Sequence, residues 1–173
     1  YAPIQMENVE GNTYSITIPL PGSQYFHGFS VTYADGTSEI VKDPTNLPSK
    51  NGDSDSGWSL LSVGSRADSI PGQEYVYPRT DGKTGIVQYV NYGAVDGSSQ
   101  PLAVYLPYGY DTSKTYKTIY LSHGGGGNEV EWMHIGSATN IMDTLIADEE
   151  VAEAIVVTMD NTYFNFESGA SLQ

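Results

Sequence analysis

Between residues 117 and 159 the order of residue types leaves the backbone few choices. Lys117-Thr118-Ile119-Tyr120-Leu121 is a short apolar run that ends at a glycine cluster, Gly124 to Gly127. Ser137 to Glu149 then carries Ile141, Met142, Leu145 and Ile146 at helical spacing on one face, with Ser137 placed to act as an N-cap. Ala154 to Met159 follows as a continuous apolar run, the pattern of a strand buried on both faces of a parallel sheet. Strand, glycine loop, helix and strand together make a βαβ unit.

Upstream of this unit the grammar is that of β-structure. Thr13 to Ile18 alternates polar with β-branched or aromatic residues, and Pro19 to Gly22 breaks it. Tyr25 to Tyr33 reads as a second strand, closed by the hairpin-type turn Asp35-Gly36, with Thr37 to Lys42 as a third. These strands predict an antiparallel meander of the kind found in β-sandwiches. A polar, turn-rich stretch runs from Asp43 to Gly57. Its Asp53 and Asp55 lack the further ligands and closing glutamate of a calcium loop, so a solvated loop is expected there. Trp58 to Val63, Glu74 to Pro78, Thr84 to Asn91 and Leu102 to Leu106 follow as strand candidates, and Gly and Ser enrich the link from Tyr92 to Gln100. The composition places a boundary near residues 66–74, giving a β-rich domain over 1–70 and an α/β domain over 71–173.

Charge and cysteine content narrow the partners. With 21 acidic and 7 basic residues the net charge is −14, and no basic stripe is present to meet a phosphate backbone. Nucleic acids and anionic membrane surfaces are therefore not expected partners, whereas a neutral sugar polymer meets no such repulsion. The absence of cysteine removes disulfides, thiolate catalysis and cysteine-ligated zinc together. No run approaches the roughly 20 apolar residues of a membrane span. The opening Tyr1-Ala2-Pro3-Ile4-Gln5 lacks a signal peptide's basic start and apolar middle. Abundant Tyr, Gly, Asn, Ser and Thr with few Lys point to a secreted or cell-surface bacterial protein.

The chemistry is expected at Ser122-His123-Gly124-Gly125-Gly126-Gly127-Asn128, just past the carboxyl end of a buried-type strand, where open α/β sheets bind their ligands. Glycines let the backbone turn sharply and present N–H groups unobstructed. Such groups can stabilise the oxyanion of a tetrahedral intermediate, and a His-Gly start after a strand matches the oxyanion loop of lipases and esterases. A phosphate-binding loop would need a Gly-Lys-Ser/Thr ending or GxGxxG spacing, and neither occurs. His123 has only His27 and His134 as potential co-ligands, both distant in sequence, so no metal is expected. The residues alone leave an oxyanion loop and a plain glycine-rich loop both open.

A family resemblance separates them. Val104-Tyr105-Leu106-Pro107, Tyr110-Asp111, Lys114, Tyr116, the run Ile119 to Asn128, Trp132, the helix Asn140 to Ala147 and the strand Ile155 to Asn161 resemble, in order and spacing, the feruloyl and acetyl-xylan esterases of carbohydrate esterase family 1. The first strands, with Asp35-Gly36 and Asp43-Pro44-Thr45-Asn46, are similar to the family-48-type, carbohydrate-binding β-sandwich often placed ahead of such esterases. The resemblance implies a β-sandwich followed by an α/β-hydrolase with a mixed or parallel sheet, a serine nucleophile and no cofactor. It assigns an oxyanion N–H to Gly125, loop shaping to Gly124 and Gly126 beside His123, and the cleft border to Trp132 and the segment Asp160-Asn161-Thr162-Tyr163. For Trp132, a core aromatic anchoring the loop is an equal expectation.

The chain departs from this pattern in one respect: it holds no G-x-S-x-G nucleophile elbow, the nearest stretch being Gly169-Ala170-Ser171-Leu172-Gln173. The expectation is thus an incomplete hydrolase domain that supplies the oxyanion loop and not the triad. It would leave apolar faces of Ile119 to Leu121 and Ala154 to Met159 to be covered by the remaining hydrolase segment. The expected partner is plant cell-wall polysaccharide, feruloylated or acetylated xylan. A non-catalytic carbohydrate-binding or scaffold protein is the alternative, since tyrosine faces can stack on sugar rings.

Overall fold

The computed structural model describes residues 3–44, 59–124 and 127–160. In chain order its strands are β1 (Glu7–Glu10), β2 (Thr13–Ser15), β3 (Ser23–His27), β4 (Phe29–Thr32), β5 (Ser38–Val41), β6 (Ser59–Val63), β7 (Ile86–Gly93), β8 (Ser99–Leu106), β9 (Lys117–Ser122) and β10 (Ala154–Met159). Two helices, α1 (Glu131–His134) and α2 (Ala138–Ala147), lie between β9 and β10.

Four strands form one mixed sheet in the order β7-β8-β10-β9. The β7–β8 and β8–β10 pairs are antiparallel, whereas β9 and β10 run parallel. The parallel pair requires a crossover, and the two helices supply it, so the βαβ unit is present as read. Register decides which side chains share a face. Val156 lies opposite both Tyr105 and Ile119, and Thr158 opposite both Ala103 and Leu121. With a strand period of 2, these residues point the same way, and that face carries the core: Ala103, Tyr105, Ala154 and Val156 pack with Met133, Ala138 and Met142 from the helices. On the other face Ile86, Val90 and Tyr120 are exposed, and Leu102, Val104, Ile155 and Val157 are half-buried.

Two expectations about this unit change accordingly. The strand Ala154 to Met159 is not buried on both faces; its residues alternate between buried and half-buried. The side turned to α2 is closed within the chain, and the uncovered apolar surface is confined to the opposite side and to the β9 edge. Ser137 does precede α2, but its side chain makes no capping bond. Its backbone is left-handed, at φ 51°, and its hydroxyl donates instead to Gln24 Oε1 at 2.7 Å.

The first 63 residues hold three separate two-stranded antiparallel pairs among the described residues: β1 with β2, β3 with β6 and β4 with β5. The stretch Tyr25 to Tyr33 is two strands, not one, interrupted at Gly28, and the two halves take different partners. Asp35-Gly36 makes the turn between β4 and β5, with Gly36 at φ +84° and the Asp35 carboxylate accepting from the Thr37 amide at 2.9 Å. Glu74 to Pro78 is not a strand, since Glu74–Val76 is a single 3-10 turn. Asp53 and Asp55 lie outside the described residues.

Polar side chains fix α2 to the elements around it. Asp143 is buried on the helix face, where its Oδ1 accepts from the Tyr105 hydroxyl and the Gly85 amide, both at 2.7 Å. Burial, and then the bond to Asp143, push the Tyr105 phenol well above its ordinary range. Gly85 must be glycine, because a Cβ there would overlap the Tyr105 ring and the Leu106 carbonyl. Asn140 Nδ2 donates to the Val76 carbonyl at 2.7 Å, on the segment leading into β7. Past the helix end, Asp148 receives Arg66 at 2.5 Å and Arg79 at 3.0 Å.

Two outcomes are expected. Replacing Asp143 with Ala strands a buried hydroxyl and a half-buried amide, at about 1–3 kcal/mol for each unsatisfied buried group. Urea unfolding should show a loss of about 2–4 kcal/mol for Asp143→Ala and a smaller one for Asp143→Asn, which keeps an acceptor. The Arg66 and Arg79 guanidinium groups hold the Asp148 carboxyl below its ordinary value of 3.8. A carboxyl depressed in the folded state contributes stability above its unfolded pKa and loses it as pH falls through the folded value. The acid limb of the stability curve should therefore steepen below about pH 4, and Asp148→Asn should flatten it.

Candidate active site

Parallel pairing of β9 and β10 brings their carboxyl ends side by side, Ser122 opposite Met159. The glycine loop leaves β9 at this edge, and Asp160 follows β10 beside it. His123 joins them: its Nε2 stands 3.4 Å from Asp160 Oδ1, with the histidine side chain 4% exposed and the aspartate 19%. The other ring nitrogen, Nδ1, lies 2.7 Å from the Gly124 carbonyl oxygen. A carbonyl can only accept, so Nδ1 carries the proton of that bond.

The far end of the loop is held as firmly. The Thr158 hydroxyl, buried on β10, donates to the Glu129 carbonyl. The Trp132 indole N–H donates to the Ser122 carbonyl at 2.7 Å, tying α1 to the last residue of β9. Asn128 accepts the Glu131 amide through its backbone at 3.2 Å and the Val130 amide through its side chain at 3.1 Å, and so starts α1. Gly127 is buried against Glu131 and His123, and a Cβ there would overlap the Glu131 carboxylate. Glu131 Oε2 is itself buried without a hydrogen-bond partner among the described residues.

Of the residues singled out from sequence, the structure brings His123, Gly124 and Trp132 to this one edge. Trp132 is 39% exposed, so its anchoring of the loop leaves part of the ring facing outward. Gly125, Gly126, Asn161 and Tyr163 lie outside the described residues. His27 is remote from the loop and stands 3.2 Å from Asp43. His134 is exposed at the end of α1, with Nε2 3.2 Å from the Tyr89 hydroxyl. Sequence reasoning missed Thr158 of β10, and it placed Asp160, just past β10, at the cleft border without its contact to His123. Their signal was positional: polar residues at the carboxyl end of an otherwise apolar strand.

A mixed sheet with helices in the crossover and a glycine loop at the strand ends is an α/β arrangement in keeping with the one expected from sequence. Comparison with known proteins agrees. Residues 95–171 match the esterase family model described as "Putative esterase". The chain is 36% identical over 104 residues to an endo-1,4-beta-xylanase/feruloyl esterase of Xylanibacter ruminicola, covering 57% of this chain and 14% of that protein. It is 40% identical over 77 residues to endo-1,4-beta-xylanase Y of Acetivibrio thermocellus, covering 44% of this chain and 7% of that protein. Among solved structures, a serine-to-alanine variant of the feruloyl esterase module from Clostridium thermocellum, complexed with sinapinate, superposes with a TM-score of 0.47 at 36% identity. That match covers 57% of this chain and 36% of the other. Residues 95–171 are thus similar to esterases, feruloyl esterases among them, and the chain spans a small fraction of the length of the curated relatives it matches.

The packing of Gly127 is open to test. Gly127→Ala should displace Glu131 and destabilise the protein by about 1–3 kcal/mol, the usual range for overpacking. Adding Glu131→Ala should restore part of the loss. Thermal unfolding of both single variants and the double variant measures the coupling. Strictly additive effects would place the Glu131 side chain elsewhere.

Proposed function

We propose that this chain is part of a carbohydrate esterase that hydrolyses feruloyl or acetyl esters on plant xylan through a serine acyl-enzyme. The observation that carries the reading is the esterase match over 95–171, which includes the glycine loop held at the carboxyl ends of β9 and β10. The names of the two curated relatives, one a xylanase/feruloyl esterase and the other a xylanase, favour xylan as the polymer.

In this reading the loop is the oxyanion hole. The Gly125 N–H donates to the oxygen that becomes negative as the ester carbonyl turns tetrahedral, and Gly124 and Gly126 give the loop its shape. Such donors act by being in place before the charge develops, and loss of one costs about 10²–10³ in rate. Trp132, Asn161 and Tyr163 border the cleft that receives the acyl group or the sugar. The nucleophile, acid and histidine of the triad come from sequence beyond this chain. The β-rich first 70 residues belong to a carbohydrate-binding module that holds the enzyme on its polymer, and the protein works outside the cell. No cofactor is needed for this chemistry.

The reading makes a double demand on experiment. The longest product of the gene should release ferulate or acetate from xylan oligosaccharides and should react with a fluorophosphonate probe. Mass spectrometry should place the label on a serine outside residues 1–173. A label on a serine within this chain would overturn the division of labour, and the absence of esterase activity in the full product would overturn the function.

A further inference from the structure

The link from Tyr92 to Gln100 has a place in the fold that the ester chemistry leaves unused. β7 and β8 pair from Ile86 opposite Leu106 to Gly93 opposite Ser99. β10 stops short of that, since its last residue, Met159, lies opposite Leu102, which in turn faces Val90. Three pairs of the ladder therefore run on past the end of β10: Asn91 with Pro101, Tyr92 with Gln100 and Gly93 with Ser99. At about 3.3 Å per residue they carry the hairpin about 10 Å beyond it, before the turn is counted. The edge they overhang is the one where β9 and β10 end and the glycine loop begins. Strands about 4.8 Å apart put β8 about 10 Å from β9, so the hairpin stands beside that loop as a wall. Its base is fixed there. The Asp160 amide donates to the Pro101 carbonyl at 3.4 Å, and the Tyr89 hydroxyl, one step down the same face from Asn91, lies 3.2 Å from His134 Nε2 of α1.

We propose that the β7–β8 hairpin, residues 91–100, is a binding arm for the sugar backbone of the substrate, engaging it beside the ester through Asn91, Tyr92 and Gln100. The inference rests on the proposed esterase function and adds a polymer-binding element to it. The composition of the arm names its ligand. From Thr84 to Tyr110 the sole charged residue is Asp96. Its carboxylate accepts from the Ser98 amide at 2.9 Å and hydroxyl at 2.6 Å, in the turn where Gly97 sits at φ +84°. A charged ligand would thus meet no cation here. Asp96, Gly97 and Ser98 are accounted for by the turn, whereas Asn91, Tyr92 and Gln100 are not required by it. The two amides both donate and accept, as sugar hydroxyls do, and Gln100 uses one N–H on Ser98 Oγ at 2.9 Å. A tyrosine ring adds an apolar face for the C–H groups of a sugar. Asn91 is exposed, Tyr92 half-buried, and Val95 at the tip fully exposed.

The test has two arms. In this chain, xylohexaose is titrated to millimolar concentration into isotope-labelled protein while backbone amide shifts are followed. The shifts should cluster at residues 91–100 and at neighbouring residues of the β9–β10 edge, and Asn91→Ala with Gln100→Ala should weaken binding by about 3–10-fold. Unchanged spectra would overturn the inference. So would shifts confined to the first 63 residues, which would place the polymer on the β-rich region instead.

In the full gene product, KM is compared on a feruloylated xylo-oligosaccharide and on methyl ferulate, which carries no sugar. The double variant should raise the ratio of the two KM values by about 3–10-fold, with kcat on the oligosaccharide within about twofold, the mark of lost ground-state binding. An active product whose KM ratio is unmoved defeats the arm and leaves the function standing. A product inactive on both esters defeats the function, and the titration of this chain still judges the arm.

Discussion

The parallel register of β9 and β10 is the constraint on which the rest of the molecule depends. Because Lys117 lies opposite Ala154 and Ser122 opposite Met159, both strands end at the same edge of the sheet. A parallel neighbour cannot be reached by a tight turn, so the chain must leave that edge, travel back along the sheet and re-enter at the other end. The helices α1 and α2 are that return path. The glycine loop is its first step, and it is fixed at the carboxyl ends of the strands because no other place is topologically available to it.

Packing against this frame relies on polar groups to an unusual degree. The core residues that cover the helix face are modest in size, with alanines at 103, 138 and 154 allowing α2 to approach closely. Close approach leaves room for one buried carboxylate, Asp143, provided it finds donors, and Tyr105 and the Gly85 amide supply them. A buried carboxylate is tolerable only when so satisfied, so the Tyr105–Asp143–Gly85 set locks helix to sheet at a single rotation. Apolar contacts alone, being non-directional, would let α2 turn about its axis and carry Ser137 and the end of α1 with it.

This explains what could be read from the residues and what could not. The βαβ unit was legible because both of its signals are local: helical spacing at Ile141, Met142, Leu145 and Ile146, and an apolar run at Ala154 to Met159. The second signal was overread, since an apolar run also suits a strand with one buried and one half-buried face. Glu74 to Pro78 misled because three β-prone residues carry little information beside a preceding glycine at φ +87°. The break at Gly28 escaped notice because strand patterning continues through it, and only pairing partners show that β3 and β4 belong to different ladders. Ser137 shows the same limit: a hydroxyl before a helix is a local cue for capping, and a contact with Gln24, more than a hundred residues upstream, replaced it. The glycine loop was found from composition, but the residues that hold it, Thr158 and Asp160, are near it only through the sheet.

If the loop serves as the proposed oxyanion hole, its backbone and its support come from different parts of the chain. A segment that must aim N–H groups at a developing charge cannot also carry bulky side chains, since these would occupy the space the substrate oxygen needs. It must therefore be made of glycine, and glycine loses the most conformational freedom on ordering. Order has to be imposed by neighbours whose own positions are already determined. Strand β10 is the natural source, because its register is set by pairing on both sides, with β8 and with β9. Its last residues project at the level of the loop. Thr158 reaches Glu129, and Asp160 reaches His123. The two described ends of the glycine loop are thus held from a strand whose register is set on both sides.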